Sequence, residues 1–397
     1  MATAEPGLVS ATVPSQKNRL LILTLLAALL IFPGLRRKGL AGYDDAYHAH
    51  EGREMVTSGD WGSMHLNGRP TFDYLPMFCW MEATSFKVLG INDFAAKFPV
   101  ALLAIATFLV LYFLTLELTG QAWLSLLATI VLLSTQFFLK LSTHAMTDVP
   151  FAFFFTLAIF LYVKGLKKPQ YLAFMGLPVG LGMLTRSVIG LLPVAIMVVH
   201  LLLIRRYKLL FSAWLIFGVL LALSFPSAWI AAQVYRHGWT ALASHLNFVL
   251  GKARAGEAPT SWSTVLNYPI ALLKYYWPWL PFLVAGFVQA TRVMLARRDP
   301  VGALLITWVV MVIVPFSLVH TRYPRYILPA FPAFSILSAM ALDRWLPERR
   351  RTLFFQGACA AGGLAIALTF AFPPKPRASD ILALAPVADA SSNPEER

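Results

Sequence analysis

Residues 97–117 read KFPVALLAIATFLVLYFLTLE. Between the charges at Lys97 and Glu117 stand only apolar, aromatic and hydroxyl-bearing side chains and one proline. As a helix rising about 1.5 Å per residue, this stretch matches the roughly 30 Å hydrocarbon thickness of a bilayer. Working outward, ten further segments read the same way, at roughly 20–35, 121–139, 149–164, 171–185, 188–204, 209–231, 270–290, 301–319, 326–346 and 352–372. The sequence therefore predicts an all-α polytopic membrane protein with about eleven spans. Thr185-Arg186-Ser187 separates the short fifth and sixth segments. The first apolar run follows Lys17 and Arg19 like a signal peptide, but with ten further spans it reads as a retained anchor.

Composition agrees. Hydrophobic residues make up 58% of the 397-residue chain and charged residues 13%, against about 45–50% and 25% in soluble domains. Mean hydropathy is +0.66. A soluble enzyme, a disordered chain and a coiled coil are excluded. Cys79 and Cys359 are too few for a disulfide framework. The net charge is 33 − 19 = +14, but the cations sit in short clusters between apolar runs. That pattern orients helices and favours anionic lipid rather than nucleic acid.

With Lys17 and Arg19 in the cytoplasm, alternation puts four more basic clusters inside: Lys164, Lys167 and Lys168; Arg205, Arg206 and Lys208; Arg292, Arg297 and Arg298; and Arg344 with Arg349, Arg350 and Arg351. Arg36-Arg37-Lys38 alone disagrees and is outvoted. Residues 1–19 then form a cytoplasmic segment, 20–372 the membrane domain, and 373–397 a Pro-rich external tail. The first external loop, about 40–96, is long for a connection and is the most polar part of the body. Tyr47, Glu51 and Glu54 are spaced for a short helix, and Trp61, Phe72, Trp80 and Phe86 suit a segment lying on the membrane surface. A second large external loop covers about 232–269.

On this topology Asp44, Asp45, Lys140, His144, Asp148, Arg186, Arg254, His320, Arg322 and Arg325 share the outer face. Ionisable groups at a membrane boundary are costly and mark sites. A carboxylate accepts a proton from a hydroxyl or binds a cation, and arginines clamp phosphate bidentately. An acid beside a phosphate clamp, at a lipid surface, suits group transfer from a lipid-linked phosphate. The simpler readings stand beside this one. Asp44, Asp45 and Asp148 are good helix N-caps, Arg53 and Glu54 make a structural pair as readily as substrate contacts, and the arginines can anchor at the headgroups. Asn67-Gly68 is a turn. The tryptophans read as belt or packing residues. His48-x-His50 beside carboxylates hints at a metal but lacks ligand spacing, so a divalent metal stays open.

The stretch DDAYHAHEGREM at 44–55, followed by Gly59-Asp60-Trp61, Asn67-Gly68-Arg69-Pro70 and Pro76 with Trp80, resembles the opening motif of GT-C glycosyltransferases. These are the polyprenyl-phosphate-dependent enzymes of the protein O-mannosyltransferase and aminoarabinose lipid A transferase superfamily. Similar segments follow in order: residues 90–99, Thr147-Asp148-Val149-Pro150, Gly182 to Arg186, Tyr276 to Pro281, and Arg325-Tyr326-Ile327-Leu328-Pro329. The resemblance spans about residues 40–345 and is most specific in the first loop.

It implies a GT-C-like bundle with amphipathic helices in the first external loop. It also implies an enzyme of the bacterial inner membrane that moves a sugar, with inversion, from a polyprenyl-phosphate donor to a lipid, glycan or protein acceptor on the extracytoplasmic face. Asp44 holds the position of the catalytic carboxylate and Asp148 that of the second acid. Arg186, Arg254 and Arg325 are expected to hold the donor phosphate, with Asp45, Tyr47, Arg53 and Glu54 in secondary roles. Three departures stand out. Tyr74-Leu75-Pro76 lacks the lysine many relatives carry there, Arg186 replaces a lysine, and no large soluble domain follows the last span. The rival readings are a transporter or flippase of lipid-linked sugars, against which the lack of paired repeats counts, and an oligosaccharide ligase or polymerase using a polyprenyl diphosphate.

Overall fold

The computed structural model describes residues 15–37, 39–40, 43–254, 266–318 and 323–371. The tail 373–397 and most of 1–19 lie outside them. Among the described residues, nine helical stretches are long and apolar enough to cross a membrane by length and composition. The chain is an all-α polytopic membrane bundle, as its hydropathy pattern predicts.

α1 (Gln16–Arg37) opens the chain. α4 (Asp93–Thr119) carries the opening stretch of the sequence analysis; Asn92 caps it by accepting from the Ala95 N–H, and Gly120, left-handed at φ 69°, ends it. The third predicted segment is shorter than a span and breaks at Ser134 into α5 (Ala122–Leu133) and α6 (Gln136–Leu141). The fifth and sixth form one apolar stretch, Gln170–Leu203. Within it α8 (Gln170–Arg186) turns at Ser187, φ 55°, through a 3-10 segment into α9 (Leu192–Leu203). The expected eighth segment at 270–290 is shifted: α12 (Asn267–Tyr275) stops before Pro278, and α13 (Leu280–Arg297) continues beyond it. Proline interrupts the helical ladder there, which the composition-based reading passed over. α7 (Asp148–Gly165), α10 (Ala213–His237), α14 (Pro300–Leu318), α15 (Phe331–Trp345) and α16 (Glu348–Ala371) follow the predicted segments.

α8 and α10 cross at contact distance. A Cβ on Gly176 would stand 2.1 Å from the Gly218 carbonyl oxygen, so only hydrogen fits. α4, α7, α8 and α15 surround the main apolar core, with Phe155, Tyr162, Trp308 and Phe334 buried at its centre.

The first loop folds as α2 (Tyr43–Ser58), a hairpin of β1 (Met64–Leu66) and β2 (Arg69–Thr71), and α3 (Met77–Leu89). The helix predicted from Tyr47, Glu51 and Glu54 is α2. The hairpin turns at Asn67 and Gly68, φ 53° and 72°, the conformation of a two-residue Asn-Gly turn. Its two amides donate to Glu54 Oε1 and Oε2 at 2.6 and 3.1 Å. Asp60 ties this region to α10 through Arg236 at 3.0 Å, and Trp80 Nε1 donates to the Trp61 carbonyl at 2.8 Å.

Candidate active site

Four charged side chains from four distant parts of the chain meet at one end of the bundle. Asp44 and Asp148 stand in the first turns of α2 and α7, where the helix dipole favours anions, and Arg186 stands in the last turn of α8, where it favours cations. Arg325 sits in the 3-10 turn Pro324–Ala330 that leads into α15. Arg325 Nη2 donates to Asp44 Oδ2 at 2.6 Å, its Nε lies 3.9 Å from Asp148 Oδ2, and Arg186 Nη2 donates to Asp148 Oδ1 at 2.5 Å. The result is an unbroken chain, Asp44–Arg325–Asp148–Arg186.

The two acids differ in access. The Asp44 side chain is 36% exposed and that of Asp148 2%. Asp44 is the carboxylate open to the surroundings, whereas Asp148 faces two guanidiniums. Asp148 Oδ2, Arg325 Nε and Arg186 Nε are buried with no hydrogen-bond partner among the described residues, which leaves polar capacity in the cluster.

Two spaces meet here. A small polar pocket of about 40 Å³ is lined by all four charged residues together with His48, Tyr74 and Tyr326. A cavity of about 490 Å³ adjoins it, with apolar walls that include Val188, Ile189, Leu192, Phe248, Val249 and Phe316. Tyr74, Arg186 and Tyr326 line both. Burial, with the Asp44 charge nearby, raises the Tyr74 phenol and keeps it a hydrogen-bond donor. At the cavity rim, His245 of α11 (Trp239–Arg254) lies with Nε2 3.1 Å from Ser187 Oγ and Nδ1 2.8 Å from the Phe72 carbonyl oxygen.

The expected residues divide accordingly. Asp44, Asp148, Arg186 and Arg325 come together. Asp45, Tyr47, Arg53 and Glu54 line neither space: Asp45 pairs with His144 at 3.0 Å, the Tyr47 hydroxyl meets Thr71 Oγ1 at 3.3 Å, and Glu54 grips the hairpin turn. Arg254 ends α11, and its side chain lies outside the described residues, as do His320 and Arg322. Leu75 is buried beside Met55, Cys79 and Leu184. Among the described residues no three His, Cys, Asp or Glu side chains form a metal-binding group. Tyr74, His48 and His245 were not singled out for this pocket. Tyr74 and His48 had a readable signal, since both sit inside the first-loop motif.

Comparison with known proteins bears on the fold. Residues 69–231 match the family model described as dolichyl-phosphate-mannose-protein mannosyltransferase. The chain is 24% identical over 360 residues, 89% of its length and 70% of the relative's, to an uncharacterized protein of Aquifex aeolicus. It is 29% identical over 349 residues to undecaprenyl phosphate-alpha-4-amino-4-deoxy-L-arabinose arabinosyl transferase 2 of Pseudomonas fluorescens, covering 85% of this chain and 62% of that one. The chain thus spans about three fifths of that transferase. Among solved structures it superposes on ArnT from Cupriavidus metallidurans bound to undecaprenyl phosphate with a TM-score of 0.74 at 21% identity, covering 91% and 66% of the two chains. On the Archaeoglobus fulgidus oligosaccharyltransferase the TM-score is 0.56 at 15% identity, over 94% and 56%.

Proposed function

We propose that the chain is a polyprenyl-phosphate glycosyltransferase of the GT-C superfamily, which moves a sugar from a polyprenyl-phosphate donor to an acceptor on the extracytoplasmic face of the bacterial inner membrane. The observation that carries this reading is the chain of ion pairs set at the mouth of an apolar cavity. An isoprenoid tail suits the cavity walls, and a phosphate suits the place where those walls end at Arg186. The arabinosyl transferase relatives, named for an undecaprenyl-phosphate sugar, support the donor class.

In this reading the tail lies against Val188, Ile189, Leu192 and Phe316. The phosphate sits at Arg186, in place of the lysine that the resemblance leads one to expect two residues before Pro76, and Tyr74, which stands at that position, donates a hydrogen bond to it. The acceptor enters from the exposed side of Asp44. Asp44 removes the acceptor proton as the acceptor atom attacks the anomeric carbon on the face opposite the phosphate, so the configuration inverts. The electron pair of the breaking bond leaves with the phosphate oxygen, where Arg186 and Arg325 meet the growing charge. Asp148 touches neither substrate and fixes the two guanidiniums. The acceptor is a lipid, glycan or protein nucleophile. The domain that does this is the bundle of about residues 20–372.

The test is transfer by purified protein from a panel of labelled undecaprenyl-phosphate sugars, with membrane extract supplying the acceptor. Label leaves one donor with the wild-type protein, and Asp44→Asn lowers the rate by about 10²–10⁴-fold while donor binding and thermal stability persist. Near-normal turnover by Asp44→Asn removes the catalytic role. No transfer from any donor by folded protein removes the transferase reading.

A further inference from the structure

Behind the polar pocket, α2 and α3 bury two carboxyl side chains and bring no cation to them. Glu51 is 1% exposed and Glu82 0%. Both Glu82 oxygens and Glu51 Oε1 have no hydrogen-bond partner among the described residues. Glu51 Oε2 lies 3.2 Å from Nδ1 of His48, which is itself 5% exposed and lines the pocket beside Asp44. With Nδ1 engaged, Nε2 is the ring nitrogen left to serve the pocket. Asp44 and His48 are four residues apart on α2 and so share a helix face.

Burial without a compensating partner disfavours the charged carboxylate, and such a group takes up a proton instead. The neighbouring groups do not offset this cost. Burial raises Glu51; it outweighs His48 and the Tyr47 hydroxyl, which favour the ionised form, and the Asp73 charge adds to the rise. Glu82 is raised well above the usual range by burial, then by the charges of Glu51 and Asp45. Burial and both glutamates raise the Cys79 thiol. Other titratable groups on the adjoining elements are Asp44, Arg53 and the His50–Glu54 pair of α2, Lys87 of α3, His65 of β1, and Asp93 and Lys97 of α4, the last donating to the Gly39 carbonyl.

Resting on the transferase reading, we propose that His48 and Glu51 form a proton-loaded dyad that protonates the leaving phosphate. Glu51 holds a carboxyl proton against Nδ1, so Nε2 carries hydrogen. As the bond between the anomeric carbon and the phosphate oxygen breaks, that oxygen takes the Nε2 proton, and the Glu51 proton passes to Nδ1. The imidazole stays neutral and the carboxylate takes the charge. The acceptor's proton, taken by Asp44, returns across one helical turn to reload the dyad, so the cycle closes with no net proton change. His48 touches the substrate; Glu51 is a positioning residue that acts through it. Glu82 keeps its own proton and keeps the pocket's rear wall neutral.

Two measurements test this. Infrared difference spectra at pH 7 of folded wild-type protein against Glu51→Gln and against Glu82→Gln should each lose one protonated-carboxyl band. No band lost with Glu51→Gln overturns the proposal. In the transfer assay, His48→Gln lowers kcat by about 10²-fold with donor KM nearly unchanged. Glu51→Gln moves the alkaline limb of kcat to lower pH, because the buried carboxyl that held the proton is gone, and Glu82→Gln keeps the wild-type profile. Wild-type kcat and pH profile in both His48→Gln and Glu51→Gln overturn the dyad while Asp44→Asn still abolishes transfer. Loss of the transferase reading shows differently, as no transfer by the wild-type protein.

Discussion

Arg186 closes the ion-pair chain and borders both spaces, so its replacement separates charge from fork geometry. A charge-assisted hydrogen bond contributes about 1.5–3 kcal/mol, and 1.4 kcal/mol is a factor of ten. Arg186→Gln is therefore expected to raise donor KM by about 10–100-fold, and Arg186→Lys by less, because a lysine keeps the charge but loses the two-pronged contact. Equal losses in both variants, read as donor KM beside a thermal melt, remove the charge argument. At this scale the sequence was informative where function imposes residue type. Asp44, Asp148, Arg186 and Arg325 were each legible as ionisable groups at span borders. Their partnerships were not, because Asp44 and Arg325 stand 281 residues apart. Glu54 read equally as a substrate contact until the hairpin turn was seen to use both its oxygens. Tyr74 stands two residues before Pro76, where the resemblance leads one to expect a lysine, and the structure sets it in the lining of both spaces.

Two elements position the site, and each depends on a close approach. A Cβ at Gly176 of α8 would meet the Gly218 carbonyl of α10, a backbone atom unable to rotate away. Overpacking costs about 1–3 kcal/mol. Gly176→Ala is expected to lower the melting temperature and donor affinity together, since α8 ends in Arg186; an unchanged melt contradicts the close crossing. On the other side, Gly52 lets α2 settle on α3, where an added Cβ would stand 2.9 Å from Glu82 Cβ. Glu82 makes that seat pH-dependent. Its folded-state value is raised above the ordinary 4.5, so the folded protein binds the proton more tightly than the unfolded chain. Stability from this group is complete below about pH 4.5 and is lost as pH rises through the folded value. Thermal melts across pH 5–9 should show a decline that Glu82→Gln flattens; the same slope in both proteins refutes a buried neutral acid. Helices α4 and α7 were legible element by element, from apolar length. The hairpin β1–β2 was not, since three-residue strands carry almost no periodicity. Nor was the break at Pro278, where apolar residues flank the proline on both sides.

Over the whole molecule, the four site residues lie at one end of the bundle, and the basic clusters of the even-numbered connections set which membrane face that end occupies. Tyr43, 80% exposed beside Asp44, should as Tyr43→Cys in a Cys359→Ala background react with an impermeant thiol reagent added to intact cells. Lys168→Cys should react only after permeabilisation. The reverse pattern would put the site on the cytoplasmic side. Membrane residence, the positions of most helices and the preference for one orientation were determined by the sequence alone, because partition into hydrocarbon is summed residue by residue along a local stretch. The tertiary structure decided the rest. Only folding brings α2, α7, α8 and the turn before α15 together, opens an apolar cavity against their charges, and withdraws water from Glu51 and Glu82. A side chain's neighbours and its dielectric surroundings are set by distant parts of the chain, and no local pattern encodes them.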